Sequence, residues 1–476
     1  MHVTVIGTGY LGATHAACLA QLGHQVLGLD TDAHKVAALN SGTPPFFEPG
    51  LPELLQRNLA AGRLQFTTDY ALAARHANVH FLAVGTPQRP GSYAADVSFL
   101  HAAIRALAPH LRGHHVIVGK STVPVGTAQA LQELADTLAA PTATIELAWN
   151  PEFLREGHAV ADSLRPDRIV LGVQACPAAV LSQHPAPEAA KPAKQQPGPS
   201  ADRGSFAEPA PPSLAEAALR DIYAHALAQG TAFLVTDLQT AELVKVSANA
   251  FLATKISFIN AVSEICEATG ADVVALSQAL GLDQRIGPHF LGAGLGFGGG
   301  CLPKDIRAFM ARAGELGVDQ ALTFLREVDA INQRRRQRVV DLAREACGGA
   351  VRGHRIAMLG CAFKPNSDDV RDSPALAVAG ALALAGAQVA VYDPQGMANA
   401  AQEYPTLEYA DSTAGALRGA HLVILATEWQ EFCELDPHAA AGWVACLQLI
   451  DARNALPVPA WLAAGWTVRA LGRTLD

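Results

Sequence analysis

The stretch HVTVIGTGYLGATHAACLAQLGHQVLGLD, residues 2–30, decides the fold. Residues 3–6 are a β-branched apolar run ending in glycine, residues 10–22 have helical periodicity that stops at Gly23, and residues 25–29 are a second apolar run closed by Asp30. Strand, glycine turn, helix, strand is the opening of a doubly wound α/β domain. In Gly7-Thr8-Gly9-Tyr10-Leu11-Gly12 the glycines permit the tight turn, the approach of backbone to a pyrophosphate, and close packing of helix on strand. The helix N-terminus then meets the phosphate charge. Asp30 stands where a carboxylate bonds a ribose 2′-hydroxyl and repels a 2′-phosphate, so the expected cofactor is NAD rather than NADP. A lone glycine pattern of this kind also suits mere turn glycines; its place between strand and helix gives it weight.

Further along, residues 79–84, 115–118 and 145–148 are strand candidates separated by helical stretches, an alternation that implies a parallel sheet. From Gln239 to about Gln333 the pattern is mainly helical. In AELVKVSANAFLATKISFINAVSEICEATG, Val244, Ala248, Phe251, Leu252 and Ile259 are expected to share a buried stripe. After Gly353 the first pattern returns as HRIAMLGCAFK, SPALAVAGALALAGA, QVAVYD and HLVILATEW. The expected fold class is α/β: two Rossmann-like parallel-sheet domains joined by a helical central domain. The divisions fall at residues 1–237, 238–335 and 350–476. Residues 174–212, rich in Pro, Ala and Gln, hold too little bulky apolar content to offset ordering entropy and are expected to be a disordered or loosely attached insertion.

At 476 residues the length prior is roughly three domains. Apolar runs break well before the ~20 residues a membrane span requires, and the N-terminus has no export signal. A soluble cytoplasmic protein with no membrane partner is expected. Eight cysteines without metal spacing indicate neither a disulfide framework nor a metal site, and most should be small buried residues. A net charge of −9 disfavours a nucleic-acid partner. Arg334, Arg335, Arg336 and Arg338 read as a solvated helix face rather than a phosphate-binding patch.

The chemistry points to GLGFGGGCLPKD, residues 294–305. The glycines suggest a flexible loop whose backbone N–H groups face a ligand such as a diphosphate. Pro303 fits the first position of a new helix, which sets Cys301 near its N-terminus. The helix dipole and Lys304 would both favour a thiolate. Read from these residues alone, Cys301 is either an activated nucleophile or a structural thiol.

GFGGGCLPKD, STVPVGT at residues 121–127, NPEFLREG at 150–157 and AELVKVSANAFLATKISFIN, four motifs in order, resemble the nucleotide-sugar dehydrogenases of the UDP-glucose/GDP-mannose dehydrogenase family. The resemblance covers nearly all the chain except the insertion. It implies four-electron oxidation of UDP-glucose to UDP-glucuronate with two NAD and water, through a cysteine thiohemiacetal and thioester. It also implies a homodimer or larger homo-oligomer formed at the helical centre. The same chemistry on GDP-mannose or a UDP-N-acetylhexosamine, and a non-catalytic NAD and nucleotide-sugar sensor, are the alternatives.

By this resemblance Cys301 is the nucleophile, Lys245 and Asn249 meet the developing oxyanion and bind substrate, Glu152 is the base for the hydrolytic water, and Asp305 helps position water. Thr122 lies near both cofactor and substrate. Cofactor contacts fall on Gly7, Gly9, Tyr10, Leu11, Gly12, Asp30, Lys35, Thr86, Thr122, Glu156, Lys304 and Arg371. Substrate contacts fall on Glu152, Phe153, Leu154, Lys245, Asn249, Phe290, Gly298, Lys364 and Arg453, with Arg285 reaching across a subunit boundary. Each has a plain alternative: a solvated helix lysine at 245, a packing amide at 249, surface carboxylates at 152 and 156, strand-end charges at 364 and 453, and a strand-ending turn at 86. The family commonly has Ser where this chain has Gly300, a change worth about one hydrogen bond, ~1 kcal/mol.

Overall fold

The computed structural model describes residues 1–174, 180–182 and 212–475, and the chain divides into two compact units. Unit 1 comprises Met1–Pro45, Gly50–Thr86 and Val97–Lys245; unit 2 comprises Phe46–Pro49, Pro87–Asp96 and Val246–Asp476.

Unit 1 is built on β1 (His2–Ile6), β2 (Gln25–Leu29), β3 (Leu64–Thr67), β4 (Val79–Leu82), β5 (Gly113–Gly119), β6 (Ala143–Trp149), β7 (Arg168–Val173), β8 (Val180–Ser182) and β9 (Ala232–Asp237). Their order is β3-β2-β1-β4-β5-β6-β7-β9-β8. Neighbours are parallel except β6 with β7 and β8 with β9. Because parallel strands are covered on both faces, they read as unbroken apolar runs. Ile6, Leu27, Leu29, Leu82, Ile117, Leu147 and Trp149 pack in one core with Leu100, Ile104 and Leu131. Strand order reverses between β1 and β4, the switch point at which open α/β sheets bind ligands beyond the strand ends. Helix α1 (Tyr10–Gln21) starts at that point. A short edge strand, β8, sits inside the segment expected to lack structure. Val180 and Leu181 are strand formers, and the open hydrogen-bonding edge of β9 gives them a partner. The rest of that segment lies outside the described residues.

Unit 2 holds an all-parallel sheet of β10 (Arg355–Leu359), β11 (Gln388–Tyr392), β12 (Glu408–Tyr409), β13 (Leu422–Leu425), β14 (Gln448–Asp451) and β15 (Thr467–Ala470), ordered β12-β11-β10-β13-β14-β15. Successive residues alternate between two cores. Ile356, Met358, Val391, Ile424 and Ile450 face one; Ala357, Leu359, Val423, Leu425 and Leu449 face the other, with Trp429, Phe432, Trp461 and Trp466. Asp393, just after β11, occupies the place in this sheet that Asp30 occupies after β2. Its carboxylate accepts from the N–H groups of Cys361, Ala362, Gln395 and Gly396 and from Trp429 Nε1, so its own chain satisfies it.

The other helices used below are α2 (Thr127–Leu138), α3 (Leu238–Thr269), α4 (Leu302–Glu315) and α5 (Phe324–Ala346). Along α3, Ile259 is buried as expected, but Phe251 is 66% exposed, as are Phe258 (54%) and Ile265 (63%). The buried face carries Glu242, Lys245, Asn249, Ala253, Ser257, Asn260 and Ser263 instead. Phe251, Phe258 and Ile265 point outward while small and hydrogen-bonding groups, with Val246, Ile259 and Cys266, fill the side against the protein. On α5 Arg334 is exposed as expected, but the other three arginines are not a solvated face. Arg335 is fully buried against Glu264 and Glu267, Arg336 pairs with Asp372, and Arg338 bonds Glu267, because acidic side chains lie opposite them. Of the described cysteines, Cys18, Cys266 and Cys361 are buried, Cys347 and Cys433 half-buried, and Cys301 and Cys446 exposed; burial is therefore not the rule expected. No helix among the described residues is long and apolar enough to cross a membrane.

Candidate active site

In unit 1 the glycine turn after β1 has the backbone its sequence requires. Gly7 has φ +89°, and a Cβ there would lie 2.8 Å from Val84. A Cβ on Gly12 would fall 1.7 Å from Gly7 O, so helix and strand close to a distance only glycine allows. Gly9 faces open space, and no side chain caps the first turn of α1, where Tyr10 and Leu11 sit. This fits a dinucleotide: a helix N-terminus without a side-chain cap and clear room beside Gly9 where a pyrophosphate would lie. Asp30 Oδ2 accepts from Thr8 N (2.9 Å), Thr8 Oγ1 (3.0 Å) and Lys35 Nζ (3.0 Å), and Oδ1 from Asp32 N (3.1 Å). Burial works to raise its pKa, but these bonds outweigh it and hold the carboxyl below the usual range.

The turns after β4, β5 and β6 are tied together. Thr86 Oγ1 donates to Thr122 O (2.7 Å), and Ser121 Oγ to Val84 O (2.7 Å). After β6, Glu152 Oε1 lies 2.9 Å from Lys245 Nζ, while Oε2 accepts from Leu154 N (2.6 Å). The Phe153 ring stacks under the Arg168 guanidinium, 3.8 Å from centroid to Cζ, with Lys245 Nζ at 5.8 Å. Glu156 is half-buried in the same turn, and Gly157 N donates to Tyr10 Oη (3.0 Å).

Two ionisable residues here escaped the reading of the sequence. Glu242, 1% exposed, accepts from Gly126 N (2.7 Å) and Ala128 N (2.6 Å) at the head of α2. Its place three residues before Lys245 was the available signal, since that spacing puts both on one helix face. Lys120 is 6% exposed at the end of β5. It directly precedes the STVPVGT motif, but a lone lysine gives no sign of burial.

In unit 2 the glycine-rich loop is not the open ligand cradle expected. Gly294 N donates to Asn260 Oδ1, Leu295 N to Ala452 O, Phe297 N to Asn332 Oδ1, Gly299 N to Arg371 O and Gly300 N to Asp369 Oδ2. The glycines serve close packing. A Cβ on Gly298 would lie 2.5 Å from Asp372 O, one on Gly299 2.8 Å from the Phe363 ring, and one on Gly300 2.3 Å from the Arg371 guanidinium carbon. The loop is bedded against its neighbours, and Gly300 leaves room for an arginine where a serine would stand.

This bed delivers Cys301, exposed, as N-cap of α4. The helix starts at Leu302, so Pro303 occupies its second position, one later than expected. One turn on, Asp305 is 2% exposed; its Oδ2 accepts from Asn249 Nδ2 (2.6 Å) and its Oδ1 lies 2.8 Å from Lys304 Nζ. Arg371 grips Asp369 with Nε (2.8 Å) and Nη2 (2.6 Å). Arg453 donates to Ala426 O (2.7 Å), Gly296 O (2.9 Å) and Phe363 O (3.3 Å), so it braces the loop as well as carrying charge. Lys364 Nζ lies 5.3 Å from the Phe363 ring centroid. Phe290 has φ +64°, a conformation disfavoured for a bulky residue, and is 38% exposed. Arg285 projects into solvent, its side chain 89% exposed and held by Asp283. Unit 1 therefore gathers Glu152, Lys245 and the Thr122 turn; unit 2 gathers Asn249, Asp305, Lys304 and the cysteine loop.

Comparison with known proteins finds three family models along the chain. Residues 1–184 match the NAD binding domain of the UDP-glucose/GDP-mannose dehydrogenase family, 239–334 its central domain and 357–458 its UDP binding domain. Among similar proteins are a UDP-glucose 6-dehydrogenase of Rhizobium meliloti, 38% identical with 99% of this chain and 100% of the relative covered, and one of Pseudomonas aeruginosa, 37% identical with 99% and 98% covered. A UDP-glucose dehydrogenase structure from Pyrobaculum islandicum superposes with TM-score 0.81 at 35% identity, covering 96% of this chain and 95% of that one. A UDP-D-ManNAc dehydrogenase structure from Pyrococcus horikoshii gives 0.79 at 25% identity, with 99% of each chain covered.

Proposed function

The chain belongs to the UDP-glucose/GDP-mannose dehydrogenase family of NAD-dependent enzymes, and from that membership we propose that it oxidises UDP-glucose at C6 to UDP-glucuronate. Residues 1–237 would bind NAD, 238–335 form the centre and 350–476 hold the UDP-sugar.

NAD, when bound, accepts a hydride in each of the two oxidations. Asn249 and Lys245 donate hydrogen bonds to the C6 oxygen as it gains negative character. Cys301, as thiolate, adds to the aldehyde carbon: the S–C bond forms, and the carbonyl π pair becomes an alkoxide that is protonated to the thiohemiacetal. The second oxidation leaves a thioester. Glu152 takes a proton from water as its oxygen adds to that carbon, and the C–S pair returns to sulfur. The balance is one alcohol and one water consumed, two NAD reduced, and three protons released with an ionised product.

Gly7, Gly9, Gly12, Asp30, Lys35, Thr86, Thr122, Glu156, Lys304 and Arg371 would serve the cofactor. Phe153, Leu154, Phe290, Gly298, Lys364 and Arg453 would serve the nucleotide sugar.

The observation that carries this reading is an exposed Cys301 at a helix N-terminus, one turn before a buried Asp305 bonded to Asn249. Purified protein with UDP-glucose and excess NAD should form two NADH per sugar, and Cys301→Ser should end uronate production. Undiminished uronate from that variant would sink the cysteine route. A panel with GDP-mannose and UDP-N-acetylhexosamines tests the substrate: faster turnover of one of these replaces UDP-glucose. NADH absent with every sugar, but thermal stabilisation by NAD and UDP-sugar, would support the sensor.

We also infer a homodimer formed along α3. Phe251, Phe258 and Ile265 recur every seven residues and are all more than half exposed, a spacing that aligns them in one stripe. Arg285 is exposed for a role across that boundary. The cytoplasm, where NAD and nucleotide sugars are available, is its expected compartment.

A further inference from the structure

Lys120 and Asn150 immediately follow β5 and β6, neighbouring parallel strands whose last residues pair, Gly119 with Trp149. Lys120 Nζ bonds Asn150 Oδ1 (3.0 Å) and reaches Asn150 O (3.5 Å) and Tyr223 Oη (3.4 Å). Tyr223 Oη in turn donates to Asn150 Oδ1 (2.9 Å), and Asn150 Nδ2 to Val170 O (2.7 Å). The amide that opens the Asn150-Pro151-Glu152 turn is thus fixed from several sides, and the ammonium is its only charged partner among these bonds.

That ammonium is out of water, and among the described residues no carboxylate is in ion-pair contact with it. The groups facing it are Tyr223, His15 on α1, the Phe81 ring at 6.0 Å, and, by charge, Glu152 and Lys245. Burial draws its pKa down to about 8, Glu152 works to raise it and Lys245 to lower it further. A buried ammonium with neutral partners costs stability that an apolar side chain of equal length would not. Packing alone therefore does not account for lysine here. Its hydrogen bonds all run to the turn carrying Glu152 and to the tyrosine that braces the same amide.

We propose that Lys120 is a positioning residue of the oxidation: its ammonium ties the end of β5 to the Asn150–Glu152 turn and so holds the Glu152 carboxylate where Lys245 partners it. The inference rests on the reading that Glu152 acts on the reaction. Sequence position gives no hint of it, because Lys120 and Glu152 are brought together by the pairing of two strands.

The test is a double-mutant cycle between Lys120→Met and Glu152→Gln in the full-length protein, reading kcat for NADH formation, NAD affinity and thermal unfolding. Methionine keeps the length of the stem and removes the ammonium. Expected for Lys120→Met are a melting temperature at or above the parent's, NAD affinity within about threefold, and kcat lowered about tenfold or more. In the Glu152→Gln background the same change should cost less than about twofold. An equal loss in both backgrounds, or kcat within about twofold of the parent for Lys120→Met alone, overturns the proposal. Should Lys120→Met not fold, Tyr223→Phe removes one brace from the same amide. It is expected to lower kcat in the parent and not beside Glu152→Gln, and additive losses would overturn the proposal equally. Full activity of Glu152→Gln alone strikes the role given to Glu152 and this inference with it. Absence of turnover with UDP-glucose strikes only the substrate, and the cycle is then run with the sugar that is oxidised.

Discussion

Glu242, itself 1% exposed, holds two N–H groups at the head of α2 with both carboxylate oxygens, the bond to Ala128 buried and that to Gly126 part-buried. Removing it leaves the buried Ala128 N–H without an acceptor, a penalty of about 1–3 kcal/mol, and opens the half-buried Gly126 N–H to solvent. Glu242→Ala should therefore lower unfolding free energy by about 1–3 kcal/mol in urea titration, and a loss under about 0.5 kcal/mol would show that the helix end finds other partners. At this scale the sequence names a residue's chemistry and not its occupation. Gly294 to Gly300 read as a flexible cradle of open donors, and the structure packs them instead. The acceptors that engage the loop's N–H groups, Asn260, Asn332, Asp369, Arg371 and Ala452, come from positions far along the chain.

Three strands of unit 1 are joined by a chain of buried imidazoles. Thr4 on β1 bonds His80 Nδ1 (2.6 Å), His80 Nε2 on β4 bonds His115 Nδ1 (3.0 Å) on β5, and His115 Nε2 bonds Arg112 O (2.9 Å). A carbonyl only accepts, so His115 donates from Nε2; with both rings neutral, His80 donates from Nε2 to His115 Nδ1 and the Thr4 hydroxyl donates to His80 Nδ1. In that arrangement every ring nitrogen is engaged, and a proton added to either ring displaces one of these bonds. Burial chiefly, and then the charge of His115, depress His80 to about 3. The folded state thus binds fewer protons than the unfolded chain, whose histidines titrate near 6.5. The stabilisation is complete above pH ~6.5 and is lost as pH falls towards 3, at up to about 1.4 kcal/mol per pH unit from this ring. Chemical unfolding at pH 7 and pH 5 should show that loss in the parent and a smaller one in His80→Phe. Equal losses in both would mean that other groups set the acid sensitivity. Helix α3 is the other instructive element. Its periodicity was legible, but two sets of residues obey it, one large and apolar, the other small and polar. The apolar set was expected inside because burial of hydrocarbon is the usual driving force. Here Lys245 and Asn249 are on the inward face, and their hydrogen bonds go to Glu152 and Asp305.

For the whole molecule, that arrangement leaves Phe251, Phe258 and Ile265 on the surface, the apolar stripe on which the proposed homodimer rests. Phe258→Glu places a charge at the middle of the stripe. Light scattering after size-exclusion should give twice the chain mass for the parent and a shift towards one chain for the variant; a parent already monomeric at micromolar concentration removes α3 as an interface. The sequence by itself determined the two α/β sheets, the dinucleotide turn at Gly7 to Gly12, and a cysteine set at the head of a helix. Each is written in residues a few positions apart, where steric limits on glycine and proline and the periods of helix and strand act locally. Only the tertiary structure decided which face of α3 is covered, that the N–H groups of Gly294, Leu295, Phe297, Gly299 and Gly300 are taken up within the chain, and that Lys120 lies buried near Glu152. Burial and hydrogen-bond occupancy are set by neighbours that strand pairing and helix docking bring from distant parts of the chain, and no short window of sequence contains them.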